Sequence, residues 1–130
     1  GGEFGAATGR PRRVGPFDIV ATKYGTMVQG ATYLTLTKLD VLSYMEKIPV
    51  CVAYEIDGER VEYFPMGYKL EQAKPIIEYL PGFKCDISKA RKKDDLPKEA
   101  ISYIDYIQEK IAVPIRYVSV GAKRDEYIKY

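Results

Sequence analysis

Residues 35–42 read Thr-Leu-Thr-Lys-Leu-Asp-Val-Leu, TLTKLDVL. They leave the run Ala31-Thr32-Tyr33-Leu34-Thr35-Leu36, in which apolar side chains alternate with small or polar ones and strand formers dominate. Thr37, Lys38, Leu39 and Asp40 stand where that strand ends. Val41, Leu42 and Met45 follow at helical spacing, which predicts a short helix to about residue 47 with Asp40 as its N-cap. Strand, polar turn and helix in succession is how open α/β sheets present ligand groups at the carboxyl ends of their strands. The same stretch carries chemistry. A carboxylate at Asp40 can accept two hydrogen bonds from the adjacent ring N–H and exocyclic amine of guanine, a donor pair that adenine lacks on that edge. The Lys38 stem can lie over a purine face while its ammonium stays in water. The residues are equally readable as a capping Asp and a solvated Lys, and the stretch alone leaves both readings open.

The chain has 130 residues, 46% hydrophobic and 29% charged, which is the size and composition of one folded domain. No apolar run approaches a membrane span, and no signal peptide opens it, so no membrane partner is expected. A net charge of +2 gives no reason to expect nucleic acid. The two cysteines, Cys51 and Cys85, are far apart, and with no histidine no Cys/His zinc set can be built. Reduced cysteines suit a cytoplasm. Lack of histidine also removes the commonest general acid or base, and there is no G-x-x-x-x-G-K phosphate loop. This chain alone therefore lacks obvious machinery for proton or phosphoryl transfer.

Residues 1–15 form a loop by composition, with five glycines and Pro11, and hold Arg10, Arg12 and Arg13. Extended backbone puts Arg10 and Arg12 on one side, where two guanidinium groups can clamp an anion, with Thr8 and Gly9 adding a hydroxyl and a close backbone approach. A solvated basic loop has the same composition. Residues 16–29 read as a helix, with Pro16 in its first turn, Ile19, Val20, Lys23, Met27 and Val28 on one mostly apolar face, close packing at Gly25 and a stop at Gly30. Residues 49–56, PVCVAYEI, form a strong strand with Cys51 as a small core residue, and Asp57-Gly58 turns it into a return strand over 59–64. Residues 65–72 read as a loop and 74–83 as extended. Lys89, Arg91, Lys92 and Lys93 precede Asp94 and Asp95, and the mixed signs suit a solvated loop. Ala100, Ile101, Ile104, Ile107 and Ile111 mark the clearest helix, from residues 96–97 to about 112, with Tyr103 and Tyr106 half-buried beside that face. Residues 114–119, PIRYVS, are a strand that ends on Val120 and Gly121, and 126–130 form a short last strand.

An Asp after one strand, a Ser-led turn after another and an arginine loop converge on one kind of ligand. Guanine recognition needs acceptors for the ring N–H groups and donors for the carbonyl oxygen, and backbone N–H groups of Ser119, Val120 and Gly121 can supply the donors. The pairing parallels the guanine site of GTP-binding switch proteins, although the hairpin between the two strands departs from that fold.

In order along the chain, GGEFGAATGRPRRVG, TKLDVL, CVAYEIDG, LPGFKCDIS, DLPKEAISYI and VPIRYVSVG resemble the carboxyl-terminal third of adenylosuccinate synthetase. The resemblance covers essentially the whole chain, and the ordered set is far more specific than any one motif. It implies a mixed α/β sheet with flanking helices and a β-hairpin, the carboxyl-terminal part of a larger GTP-dependent ligase fold. It also implies an enzyme of purine nucleotide (AMP) biosynthesis that joins IMP to L-aspartate with GTP and Mg²⁺ through 6-phosphoryl-IMP, as a cytoplasmic homodimer. Carried over residue by residue, Ala6, Ala7, Thr8, Gly9, Arg10, Pro11 and Arg12 form a mobile L-aspartate loop. Arg10 also borders IMP, and Arg12 reaches the GTP side. Lys38, Leu39 and Asp40 hold guanine on one edge, with Ser119, Val120 and Gly121 on the other. Ala7 stands where the family usually has Thr, and Pro16 where it usually has an aromatic residue. The family's phosphate loop, catalytic Asp, catalytic His and Mg²⁺ ligands are expected upstream of this chain, which therefore reads as one domain of the enzyme (1–15 loop, 16–130 α/β part), with no catalytic or metal residues of its own and inactive alone. Two other readings are a stand-alone, non-catalytic guanine-nucleotide-binding module and a basic interaction domain using residues 10–13 and 89–93.

Overall fold

The structure, a computed structural model, describes residues 2–130; Gly1, counted above in the first loop, lies outside the described residues. The order of elements is β1 (Phe17–Asp18), α1 (Ile19–Gln29), β2 (Leu34–Leu36), a 3₁₀ helix (Leu39–Leu42), β3 (Lys47–Ile56), β4 (Glu59–Val61), α2 (Tyr68–Gln72), β5 (Lys74–Pro81), a second 3₁₀ helix (Lys93–Asp95), α3 (Lys98–Ile111), β6 (Ile115–Ser119) and β7 (Tyr127–Lys129). The mixed α/β architecture expected from the sequence is present, with its strands divided between two sheets. β3 is the hub of the first, parallel to β1 and antiparallel to β4 and β5. β6 is the centre of the second, parallel to β2 and antiparallel to β7.

β3 is buried along most of its length because it has neighbours on both edges and a core on its face. Asp57 and Gly58 both take left-handed backbone, φ 52° and 78°, the turn that matches strand twist in a tight hairpin. α3 turns Ala100, Ile104, Ile107 and Ile111 into one core together with Ile48 and Val50 of β3 and Ile115, Val118 and Ile128 of the second sheet. That shared core fixes the two sheets against one another, and burying each large aliphatic side chain stabilises by about 1.5–3 kcal/mol.

Several local expectations change. α1 begins at Ile19, because Phe17 and Asp18 pair with β3 and Asp18 caps the helix, its Oδ1 accepting the Ala21 N–H at 2.9 Å. Pro16 therefore precedes the helix. Met27 and Val28 are exposed, leaving Ile19 and Val20 as the buried face, and a Cβ at Gly25 would meet nothing within 4 Å, so no close packing occurs there. β2 starts at Leu34 rather than at residue 31. β4 stops at Val61 because Phe64 leaves the ladder to stack on Tyr24, ring centroids 4.9 Å apart. Residues 65–72 contain α2, and residues 40–47 hold a 3₁₀ turn instead of a helix. Cys51 is buried, as expected of a small core residue, and that burial, with Asp18 nearby, raises its thiol pKa.

Candidate nucleotide site

The second sheet decides where the chemistry goes. β2 and β6 run parallel with Leu36 opposite Val118, so Thr37-Lys38-Leu39-Asp40 and Ser119-Val120-Gly121 leave from the same edge, at the carboxyl ends of both strands. The 3₁₀ helix that carries Asp40 packs against β6. Leu39, 1% exposed, is the anchor that plugs this turn into the core.

Lys38 makes the turn possible by adopting left-handed backbone, φ 62° and ψ 35°. For a residue with a Cβ this costs about 1–2 kcal/mol, the sort of local strain found at functional sites. Lys38, and not Asp40, is the residue that caps the 3₁₀ helix, and its side chain makes no capping bond. Asp40 lies inside the first turn, half-buried. Its backbone carbonyl accepts the Ser43 N–H, while among the described residues nothing hydrogen-bonds to its carboxylate. The expectation of an N-cap is thus corrected: the carboxylate is an acceptor with no structural duty.

On the other strand end, Ser119 Oγ donates to the Gly121 carbonyl at 3.2 Å. Val120 is fully buried, and its N–H donates to the Glu126 carbonyl at 2.9 Å, so that expected ligand donor is engaged inside the fold. Glu126 Oε2 accepts the Lys123 N–H at 2.8 Å and lies against Gly121, where a Cβ would fall 2.1 Å from it. Gly121 is therefore a close-approach glycine, and Glu126 is the wedge that shapes the turn.

The first loop is a small hairpin instead of a single extended run. Phe4 bridges Pro11, the Gly5 N–H donates to the Arg10 carbonyl at 2.8 Å, and the Arg12 N–H donates to the Glu3 carbonyl at 2.9 Å. Ala6, Ala7, Thr8 and Gly9 form its exposed tip, with Thr8 Oγ accepting the Arg10 N–H at 3.3 Å. Arg12 turns inward. It joins Glu3, Phe17, Lys38, Leu39 and Tyr103 around a cleft of about 420 Å³. Glu3 pairs with Arg12 Nη1 at 3.6 Å and with the Lys38 ammonium. Tyr103 stands at this cleft, buried, its hydroxyl pKa pushed up to about 12 by desolvation. Arg12, Lys38 and Leu39 thus meet at one cleft. Asp40, Ser119, Val120 and Gly121 follow the carboxyl ends of the two parallel strands and are not part of the cleft lining, and neither are residues 6–11. Glu3 and Glu126 were not singled out from the sequence. A lone acid inside an arginine-rich loop was the available signal for Glu3; Glu126 had none, because its role depends on β7 folding back.

In the second basic run, Arg91 and Lys93 have partners within the fold. Arg91 Nη1 donates to the Ser88 and Ala90 carbonyls at 2.7 and 2.9 Å, and Lys93 lies over the Tyr130 ring, 4.3 Å from its centroid. Among the described residues no group of three or more His, Cys, Asp or Glu converges to hold a metal, and no helix is long and apolar enough to cross a membrane.

Fold and site together define an α/β segment that gathers a free carboxylate, a hydroxyl-bearing turn and a cationic loop at the ends of two parallel strands. A family model described as adenylosuccinate synthetase matches residues 1–128, and the chain belongs to that family. The adenylosuccinate synthetase of Aquifex aeolicus is 48% identical over 129 residues, covering 98% of this chain and 30% of that protein. That of Streptomyces coelicolor is 52% identical over 130 residues, covering 99% and 30%. A structure of fully ligated adenylosuccinate synthetase from Plasmodium falciparum matches with a TM-score of 0.93 at 35% identity, over 98% of this chain and 31% of that one. The chain thus spans 30% of the Aquifex relative's length.

Proposed function

We propose that the full-length protein carrying this chain is a GTP-dependent ligase that joins IMP and L-aspartate into adenylosuccinate, releasing GDP and phosphate, and that this chain supplies guanine recognition and the substrate loop. The observation that carries the reading is the parallel pairing of β2 with β6, which brings the turns that follow them, one holding Asp40 and the other Ser119, to the same end of the sheet. In this reading Asp40 accepts from the guanine ring N–H and amine, the Lys38 stem covers the base, and Leu39 and Val120 are buried anchors that hold the two rims. Ser119 and Gly121 face the carbonyl edge. Arg12 serves the GTP side and the aspartate carboxylate, Arg10 serves aspartate and IMP, and Ala6 to Arg12 close over the amino acid, with Ala7 offering no hydroxyl. Phosphoryl transfer and Mg²⁺ binding belong to residues upstream of this chain, which alone makes no product. The two thiols are unpaired, which suits a cytoplasmic enzyme; the full enzyme acts as a homodimer. The partners that Arg91 and Lys93 find inside the fold, with the mixed charge of the 89–95 stretch, support this reading over a nucleic-acid-binding one.

The test is Asp40→Asn in the full-length enzyme. An Asn amide keeps one acceptor and turns a donor toward a donor. A bidentate base contact discriminates by about 1–3 kcal/mol, or roughly tenfold to a hundredfold in KM for GTP. Xanthosine triphosphate, whose ring carbonyl can accept from the new amide, should lose less, so the gap between the two nucleotides narrows. Because the Asp40 carboxylate has no hydrogen-bond partner among the described residues, the thermal midpoint should hold. Unchanged constants for both nucleotides would remove the guanine assignment.

A further inference from the structure

We infer that Glu3 is a positioning residue of the base site, one carboxylate that fixes the Lys38 ammonium on one side and the Arg12 guanidinium on the other; the inference rests on the guanine-site reading above. The acid is the inner member of this trio. Its side chain is 20% exposed, against 58% for Arg12 and 56% for Lys38. Its Oε1 is buried, and the group aimed at it is the Lys38 ammonium. The backbone holds it there, because the Glu3 carbonyl accepts the Arg12 N–H at 2.9 Å across the loop hairpin.

This geometry pins the lysine at both ends. Left-handed backbone fixes its Cα, and Glu3 fixes its ammonium, so the four-carbon stem between them becomes a set surface instead of a freely rotating chain. A stem meant to cover a purine face gains most from such restriction, since less freedom is lost when the base arrives. The same carboxylate orients Arg12, which belongs to the substrate loop. One acid shared by two cations leaves a net positive charge facing the cleft, suited to a polyanionic nucleotide. A purely stabilising role fits less well. Both cations are more than half exposed, and ion pairs with that exposure contribute little to stability. The Glu3 carboxylate also ties the loop to the Lys38 turn, so GTP binding and aspartate binding should share part of their free energy, reciprocally.

The experiment uses the full-length enzyme with Glu3→Gln, Lys38→Met, the double variant and Asp40→Asn. Glu3→Gln should raise KM for GTP about three- to fivefold, the size of one oriented ion pair, and KM for aspartate in the same direction. The loss should lie mainly in KM rather than kcat, with the thermal midpoint within about 2 °C. Lys38→Met keeps the stem and removes the ammonium, so adding Glu3→Gln to it should change KM for GTP by less than about twofold, the sign of a coupled pair. Additive effects in the double variant, or an unchanged or lowered KM in Glu3→Gln, would overturn the inference. If Asp40→Asn shifts the nucleotide constants while Glu3→Gln does not, the guanine site stands and only Glu3 loses its role. If Asp40→Asn is silent, both fall together.

Discussion

At the scale of one residue, Lys38 shows how a site is built against local preference. Lysine is not a residue that chooses left-handed backbone, and nothing in TKLD says that it does. The helical spacing after Asp40 points to an N-cap two residues too late, because capping propensity favours Asp while the fold places the reversal at Lys38. Position and chemistry can be separated by Lys38→Gly. Glycine adopts φ 62° without the roughly 1–2 kcal/mol cost, offset in part by about 0.5–1 kcal/mol of extra unfolded-state entropy. The thermal midpoint should hold or rise by a few degrees, roughly 4–8 °C per kcal/mol for a domain of about 100 residues. KM for GTP should rise, since the stem and ammonium are gone. A stabilised variant with an intact KM would mean that Lys38 is there for neither base nor loop. The left-handed backbone at Lys38 was not legible in the sequence, where only the residue type could be read.

At the scale of elements, the strong periodic segments were legible and their partners were not. The run 49–56 and the helix from Lys98 to Ile111 follow from alternation and from 3.6 spacing, because a buried face leaves its period in the sequence. Period alone does not say which strand pairs with which, so the division into two sheets and the short β1 came only with the structure; a shared ligand for the Asp40 and Ser119 turns requires the strands before them to lie near each other, and β2 and β6 are neighbours. The candidate site was legible in its residue types and order, through TKLD and SVG, but not in its supports. Glu126 is the plain case: seven residues beyond Ser119, it reaches the turn only because β7 returns antiparallel to β6. Its wedge makes a prediction. Gly121→Ala drives a Cβ into the Glu126 carboxyl group, which must swing off the Lys123 N–H. Because the clash falls on the flexible end of a half-exposed side chain, the expected loss is about 0.5–1.5 kcal/mol by urea unfolding, the size of the hydrogen bond from the Lys123 N–H that is given up, with KM for GTP raised as the rim shifts. Adding Glu126→Ala should restore part of the stability by clearing the space. If the double variant is no more stable than Gly121→Ala alone, side-chain crowding is not what requires glycine there.

At the scale of the whole molecule, the two sheets share one core, and α3 carries that core to the cleft through Tyr103. Helical spacing puts Tyr103 at the flank of the apolar face, half-buried; it is 3% exposed because sheet and loop close over it. Among the described residues nothing hydrogen-bonds its hydroxyl, so desolvation alone pushes its pKa up to about 12 from an ordinary 10. The folded state therefore keeps a proton that the unfolded chain releases above pH 10. Stability linked to this group is whole below pH 10, falls as pH rises from 10 through about 12, and levels off beyond. Each unit in that window removes at most about 1.4 kcal/mol per tyrosine, so Tyr103 accounts for roughly 2–3 kcal/mol across it. Tyr54 and Tyr130, also raised mainly by burial and further by Asp18 and Asp105, add to the same alkaline decline. Tyr103→Phe isolates one share. With no hydrogen bond to lose, the variant should match the parent at pH 8 to within about 0.5 kcal/mol in urea unfolding. At pH 11 it should be the more stable protein by about 1 kcal/mol, because it has no phenol for the unfolded chain to ionise. Parallel stability curves for the two proteins from pH 8 to 11 would show that Tyr103 titrates alike folded and unfolded, and that water reaches it in the cleft.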